Sequence, residues 1–200
     1  MKQKFLNYSL SLVKKYRKDI DAVKLDEIRY GLEGIYLTIT KMFVIFFLAI
    51  IFNIFREMIL LLLFFNILRT TGFGLHANKS WICLLMSIVV FVFLPYFSKL
   101  IIISFYLKTF LGFLAIILVN RYAPADTEKR PLVNNKKRKF LKIVTTISCT
   151  IMVIFSIIIK DQVISNLIIL GIYTEVLLIL PISYKIFNLK YNNYLRYNLD

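Results

Sequence analysis

The chain has 200 residues, 59% of them hydrophobic, a mean hydropathy of +0.73 and a formal net charge of +15. So much apolar surface cannot be hidden inside one sphere of this size; part of it must face lipid, and a soluble globular domain is excluded. The 26 Lys and Arg lie almost entirely between apolar runs, which argues against nucleic acid as a partner and for anionic lipid headgroups.

Residues 1–34 carry Lys and Arg throughout and have no apolar core ending in small residues, so no cleavable signal peptide is expected. Phe5, Leu12, Val13, Tyr16, Ile20 and Val23 fall on one helical face, with Lys14, Lys15, Arg17 and Lys18 largely elsewhere. This pattern predicts a cytoplasmic amphipathic helix resting on the membrane, with a solvated basic arm as the alternative.

A helix needs about 20 apolar residues to cross the hydrocarbon core. Runs of that kind lie at Ile35–Ile54, Trp81–Phe97, Leu100–Val119, Leu141–Ile159 and Val163–Ser183. Met58–Leu68 is a sixth, shorter run, covering roughly half the core, which is either re-entrant or completed by its neighbours. Charge bias favours six crossings with both termini cytoplasmic. The inner segments 1–34, 69–80, 120–140 and 184–200 then hold 8, 2, 7 and 3 Lys or Arg. The outer links hold one each, at Arg56, Lys99 and Lys160.

The expected fold is therefore all-α. It is one polytopic, membrane-embedded domain over residues 1–200, with about six transmembrane or membrane-embedded helices plus the N-terminal amphipathic helix. No internal repeat is visible, which gives no support to inverted-repeat transporter architecture. Within the cytoplasmic basic loop 120–140, Arg121–Pro131 holds a proline near each end and charges of both signs, and reads as an ordered loop. Lys136, Lys137, Arg138 and Lys139 form a solvated basic cluster just before the next span. Lys108 and Glu175 fall inside predicted spans, where ionisable groups are costly, and mutual pairing is expected.

The stretch Arg69–Cys83 (RTTGFGLHANKSWIC) carries the chemistry. It brings the only imidazole, His76, and a thiol, Cys83, within seven residues of each other at a membrane surface. A cysteine nucleophile acts as a thiolate, and a nearby histidine can take the proton. On one straight helix the two would lie roughly 10 Å apart along the axis, so the backbone must turn between them. Gly72 and Gly74 loosen the approach, and Asn78 and Ser80 are good N-cap residues. If Ser80 caps a helix beginning at Trp81, Cys83 falls at its third position. The unpaired N–H groups there favour a thiolate and can stabilise an oxyanion.

One His and two separated Cys cannot build a zinc site of the usual kind, and no metal or cofactor is expected. A disulfide between Cys83 and Cys149 is not expected either, and Cys149 reads as packing. A single His nearly excludes a metalloprotease, and a serine nucleophile elbow is missing from the sequence. From the residues alone, a non-enzymatic membrane protein such as a small permease or an export partner stays open. It differs in predicting that Cys83→Ala leaves function intact.

Arg69, the run Gly74-Leu75-His76-Ala77 and Cys83 together resemble the core motif of the AgrB (accessory gene regulator protein B) family. Leu32-Glu33 within Arg29–Gly34 (RYGLEG) and Tyr122–Pro131 (YAPADTEKRP) are similar to two further stretches of that family, in the same order. Phe73 between the two glycines is a departure. The resemblance implies a cysteine endopeptidase of the bacterial cell membrane that processes a small AgrD-like precursor peptide into a cyclic quorum-sensing signal. In that reading His76 is the catalytic histidine and Cys83 the nucleophile, and residues 69–83 are the catalytic loop and helix start. The tail of the precursor leaves, an acyl-thioester remains, and a Cys or Ser side chain of the precursor closes the ring. Arg69 either holds a substrate carboxylate or anchors at the interface, and Gly74 lines the same loop. Lys136, Lys137, Arg138 and Lys139 either bind the acidic tail of the precursor or serve topology alone. Asp126 and Glu128 either orient His76 or balance nearby Lys and Arg. A homodimer is compatible with all of this.

Overall fold

The computed structural model describes residues 2–17, 20–75, 80–128 and 130–197. The chain divides into two compact units, Met1–Leu48 and Ala49–Asp200. Among the described residues regular structure is helical, with only the isolated bridges Phe73↔Ala125 and Thr127↔Arg130. The structure is therefore that of an all-α membrane protein, as the composition requires.

The first unit holds helix α1 (Lys2–Tyr16) and most of α2 (Ala22–Ile51). The helix α1 folds back along α2. The Lys2 ammonium lies 2.6 Å from Glu33, the acidic residue of the RYGLEG stretch, and the Phe5 and Tyr36 rings sit 5.3 Å apart. Because α1 stops at Tyr16, Ile20 and Val23 do not continue its apolar face; Lys18 lies outside the described residues. At 30 residues α2 is about 45 Å long, more than the hydrocarbon core requires. Its charged first part, Lys24 to Glu33, is thus continuous with the span rather than a separate segment.

The second unit contains α3 (Phe55–Gly72), α4 (Ser80–Ile88), a π-helical turn (Val89–Phe93), α5 (Leu94–Ser98), α6 (Phe105–Tyr122), α7 (Asn135–Ile158), α8 (Gln162–Ile179) and α9 (Pro181–Ile186). A 3₁₀ turn, Asn193–Arg196, follows. Among the described residues five helical stretches are long and apolar enough to cross a membrane: Val23–Ile51, Trp81–Ser98, Phe105–Tyr122, Asn135–Ile158 and Gln162–Ile179. The short run Met58–Leu68 is the middle of α3. With 18 residues that helix is about 27 Å long, close to the core thickness, and it is set apart by Arg56, Glu57 and Arg69 at its ends.

The helix α8 is the centre of this unit, with 61% of it buried. Ile168, Ile172, Val176 and Ile179 pack there with Leu68, Val119, Cys149, Met152 and Val153. On α7 the exposed face is apolar as well: Ile143, Ile147, Ile151, Ile154 and Ile158 point outward, while Leu141, Met152 and Val153 are buried with Thr145, Cys149 and Ser156. A face of that kind suits lipid and reverses the soluble pattern.

Polar side chains decide where the helices end. The stretch Leu100–Val119 does not begin as helix; α6 starts at Phe105, capped by Ser104, whose hydroxyl accepts from the Leu107 N–H. The carbonyls left free before it are met from α8. The Asn166 amide donates to Ser98 and Ile101, and the Gln162 amide donates to Ile103. The helix α7 starts earlier than the apolar run, because the Asn134 side chain accepts from the Lys137 N–H at 3.0 Å. The basic cluster Lys136–Lys139 is therefore its first turn.

Candidate functional site

Three segments meet where α3 ends. The chain reverses at Phe73 (φ 62°) and Gly74 (φ +89°). The Gly74 N–H donates to Ala125 O at 2.7 Å, the Ala125 N–H donates to Gly72 O at 2.9 Å, and the Leu75 N–H donates to Leu178 O at 3.0 Å. The Gly72–Leu75 segment is thus held between the loop after α6 and the end of α8. A positive φ is expected of glycine, but at Phe73 it is an unusual strain, on the order of 1–3 kcal/mol, which the surrounding hydrogen bonds must offset.

Arg69, in the last turn of α3, closes the reversal. Its Nη1 donates to Phe73 O and its Nη2 donates to Leu75 O at 2.8 Å. The same Nη1 lies 3.6 Å from the Glu175 carboxylate, which is fully buried in α8. A Cβ on Gly72 would sit 2.7 Å from Glu175 Oε1, and one on Gly74 would sit 2.5 Å from Arg69 Nη1 and 2.9 Å from Leu178 O. Both glycines are required by close approach, and Gly74 by its dihedral as well.

The expected pairing of Lys108 with Glu175 does not occur. Lys108 donates instead to the Ser165 hydroxyl at 2.7 Å. Ser165 and Glu175 are ten residues apart on α8, roughly 15 Å along its axis, too far for one lysine to reach both.

His76 and Asn78 lie outside the described residues. On the far side of that stretch α4 begins at Ser80, one residue before the expected start, and Cys83 is its fourth residue, still in the first turn. The Cys83 side chain is half-buried and is not in a disulfide. Trp81 beside it is exposed, as suits an interfacial indole. Cys149 is fully buried in α7, in the packing role expected of it.

Among the described residues, Asp126 and Glu128 find partners in the loop and the C-terminal segment. The Asp126 carboxylate accepts from the backbone N–H groups of Asn193 at 2.9 Å, Tyr194 at 2.8 Å and Leu132 at 3.3 Å. It staples the C-terminal turn onto the loop. Glu128 faces Arg196 at 3.2 Å and Lys190 at 3.7 Å, the charge-balancing role. The Tyr184 hydroxyl donates to Asp126 O at 2.9 Å. Burial raises the Tyr184 phenol above its ordinary value and pushes Tyr191 up to about 12, so both stay protonated at physiological pH.

The basic cluster is not uniform. Lys136, Lys137 and Lys139 are exposed, whereas Arg138 is half-buried with its guanidinium 3.2 Å from the centre of the Tyr194 ring.

Residues 7–179 match the family model for accessory gene regulator B. The chain belongs to the AgrB family. An AgrB-like protein of Clostridium acetobutylicum is 35% identical over 175 residues, 88% of this chain and 84% of the relative. An AgrB-like protein of Listeria innocua is 32% identical over 188 residues, 93% of this chain and 91% of the relative. The accessory gene regulator protein B of Staphylococcus epidermidis is 32% identical over 170 residues, 84% of this chain and 86% of the relative. No solved structure matches. All the site elements up to Ile179 fall within the part matched by the AgrB model, including Arg69, Cys83, Asp126 and Glu175.

The Arg69–Glu175 pair was not legible in the sequence as a pair. The signal was an ionisable residue inside an apolar span, which marks a site but does not name its partner.

Proposed function

We propose that this AgrB-family protein is a cysteine endopeptidase of the bacterial cell membrane, with both termini in the cytoplasm. It cleaves a small AgrD-like precursor peptide and closes the product into a cyclic quorum-sensing signal. The observation that carries the reading is the half-buried Cys83 thiol in the first turn of α4, together with the Arg69 clamp on Phe73 and Leu75, the latter just before His76 in the chain.

His76 takes the proton of Cys83, and the sulfur attacks the carbonyl carbon of the scissile peptide bond. The oxyanion that forms is met by backbone N–H groups at the start of α4. The C–N bond then breaks, His76 returns the proton to the leaving amine, and the acyl group stays on Cys83 as a thioester. A thiol or hydroxyl within the precursor attacks that thioester, gives its proton to His76, and expels the Cys83 thiolate. A thiolactone or lactone results, with no change of oxidation state. A setting poor in water favours this ring closure over hydrolysis.

Lys136, Lys137 and Lys139 are assigned to acidic side chains of the precursor, since their ammonium groups are exposed on the first turn of α7. The Arg69 and Arg138 guanidinium groups already have partners, and a substrate carboxylate would have to displace them. Gly74 shapes the loop through its dihedral.

The test uses the purified full-length protein in liposomes with a synthetic AgrD-like precursor, followed by mass spectrometry. Cys83→Ala and His76→Ala should abolish both the acyl-enzyme adduct and the released tail, while Cys149→Ala should retain them. Undiminished cleavage by Cys83→Ala would overturn the reading.

A further inference from the structure

We infer that Glu175 is a positioning residue for the chemistry of His76 and Cys83: by holding Arg69 it fixes Leu75, the residue just before His76 in the chain. The inference rests on the endopeptidase reading above and adds to it a residue on a different helix.

A carboxylate inside a membrane helix is costly, and a side chain of similar volume such as Gln or Met would serve packing alone. Glu175 is fully buried, and among the described residues neither of its oxygens has a hydrogen-bond donor. What it does face is a cation, the Arg69 guanidinium at 3.6 Å. That guanidinium in turn donates to the carbonyls of Phe73 and Leu75, the second of which belongs to the residue just before His76. Room for the arrangement comes from Gly72, where a Cβ would collide with Glu175 Oε1.

The helix α8 grips the segment at a second point less than one turn further on, where Leu178 O accepts from the Leu75 N–H. Both ends of the Leu75 peptide plane system are thus referred to α8. Its N–H is held directly, and its carbonyl is held through Arg69 and Glu175. The starting point from which the chain runs on to His76 is therefore set by α8, not by α3 alone. Proton transfer from a thiol requires the imidazole within hydrogen-bond reach, a tolerance of about half an ångström.

The test uses the full-length protein in liposomes with the synthetic precursor, in single-turnover mode. Glu175→Gln keeps the side-chain volume and removes the charge. The rate of acyl-enzyme formation should fall at least tenfold while the half-saturating precursor concentration stays unchanged. Alkylation of Cys83 by iodoacetamide should slow by a similar factor. In a His76→Ala background, where no acyl-enzyme forms, Glu175→Gln should slow the alkylation of Cys83 no further, because both changes remove the same contribution. A purely structural residue would instead leave the acylation rate per folded molecule unchanged, whatever it does to thermal stability.

Should Glu175→Gln fail to fold, Arg69→Lys takes its place. A lysine keeps a cation beside Glu175 but cannot hold two carbonyls as the guanidinium does, and the same tenfold loss is expected. Wild-type acylation by the folded variant, or a further slowing of Cys83 alkylation in the His76→Ala background, overturns the positioning role. If Cys83→Ala and His76→Ala are inactive while Glu175→Gln and Arg69→Lys run at the wild-type rate, only this inference falls. If Cys83→Ala still cleaves, the endopeptidase reading falls first.

Discussion

The Glu175 carboxylate lies 3.6 Å from the Arg69 guanidinium, and that pair joins the most buried helix of the second unit to the end of α3. Breaking a buried pair from one side leaves an uncompensated charge and costs about 3–5 kcal/mol. Arg69→Leu and Glu175→Leu should each destabilise the protein by that order. The double variant should lose clearly less than the two losses together, which unfolding of the purified protein in detergent can measure. A double variant as unstable as the sum of the singles would mean that the ions do not interact.

Gly74 offers a test that involves no charge. An alanine there adopts φ +89° at about 1–2 kcal/mol and meets Leu178 O at 2.9 Å and Arg69 Nη1 at 2.5 Å. Gly74→Ala should therefore reduce precursor processing at least tenfold in cells that co-express an AgrD-like peptide. Gly31→Ala, with nothing within 4 Å of the added methyl, should process normally. Equal activity of the two variants would show that the reversal after α3 does not matter to the reaction.

Much of the membrane architecture could be read from the apolar runs, because lipid contact is a property of each segment alone. The boundaries could not. The helix α6 starts at Phe105, not Leu100, because Asn166 and Gln162 of α8 satisfy carbonyls in the 98–103 stretch, a tertiary effect that no local pattern encodes. The early start of α7 was better signalled, since Asn134 stands where an N-cap belongs. At the site, Cys83 near a helix start followed from Asn78 and Ser80 ahead of an apolar run. Glu175 was visible as an expensive residue, but Lys108 and Arg69 were both available cations. Only the packing of α3 on α8 chose between them.

The first turn of α7 predicts a split within one basic cluster. Neutralising Lys136, Lys137 and Lys139 together should raise the half-saturating concentration of an acidic precursor several-fold and weaken its salt dependence, with stability unchanged. Arg138→Ala should act differently. It removes a cation over the Tyr194 ring, an interaction of about 0.5–2 kcal/mol, and should loosen the C-terminal turn. Limited proteolysis near residues 190–197 would show that loosening. If all four positions shift binding alike and none alters cleavage of the turn, the stack on Tyr194 is irrelevant.

Asp126 separates a staple from a catalytic orienter. Its two oxygens accept from the N–H groups of Leu132, Asn193 and Tyr194. In Asp126→Asn one oxygen becomes an NH₂ group, and a donor then faces a donor. The unmet N–H costs about 1–3 kcal/mol. The variant should unfold more readily and release the C-terminal turn to protease. Its acylation rate per folded molecule should stay within about twofold, because the N–H groups it serves lie in the loop and the C-terminal segment, not at Cys83. Were the carboxylate instead to hold the His76 imidazole, the same change would lower that rate by orders of magnitude, since loss of an orienting carboxylate leaves the base in the wrong tautomer. Single-turnover kinetics on the folded fraction, measured beside its thermal stability, tell the two apart.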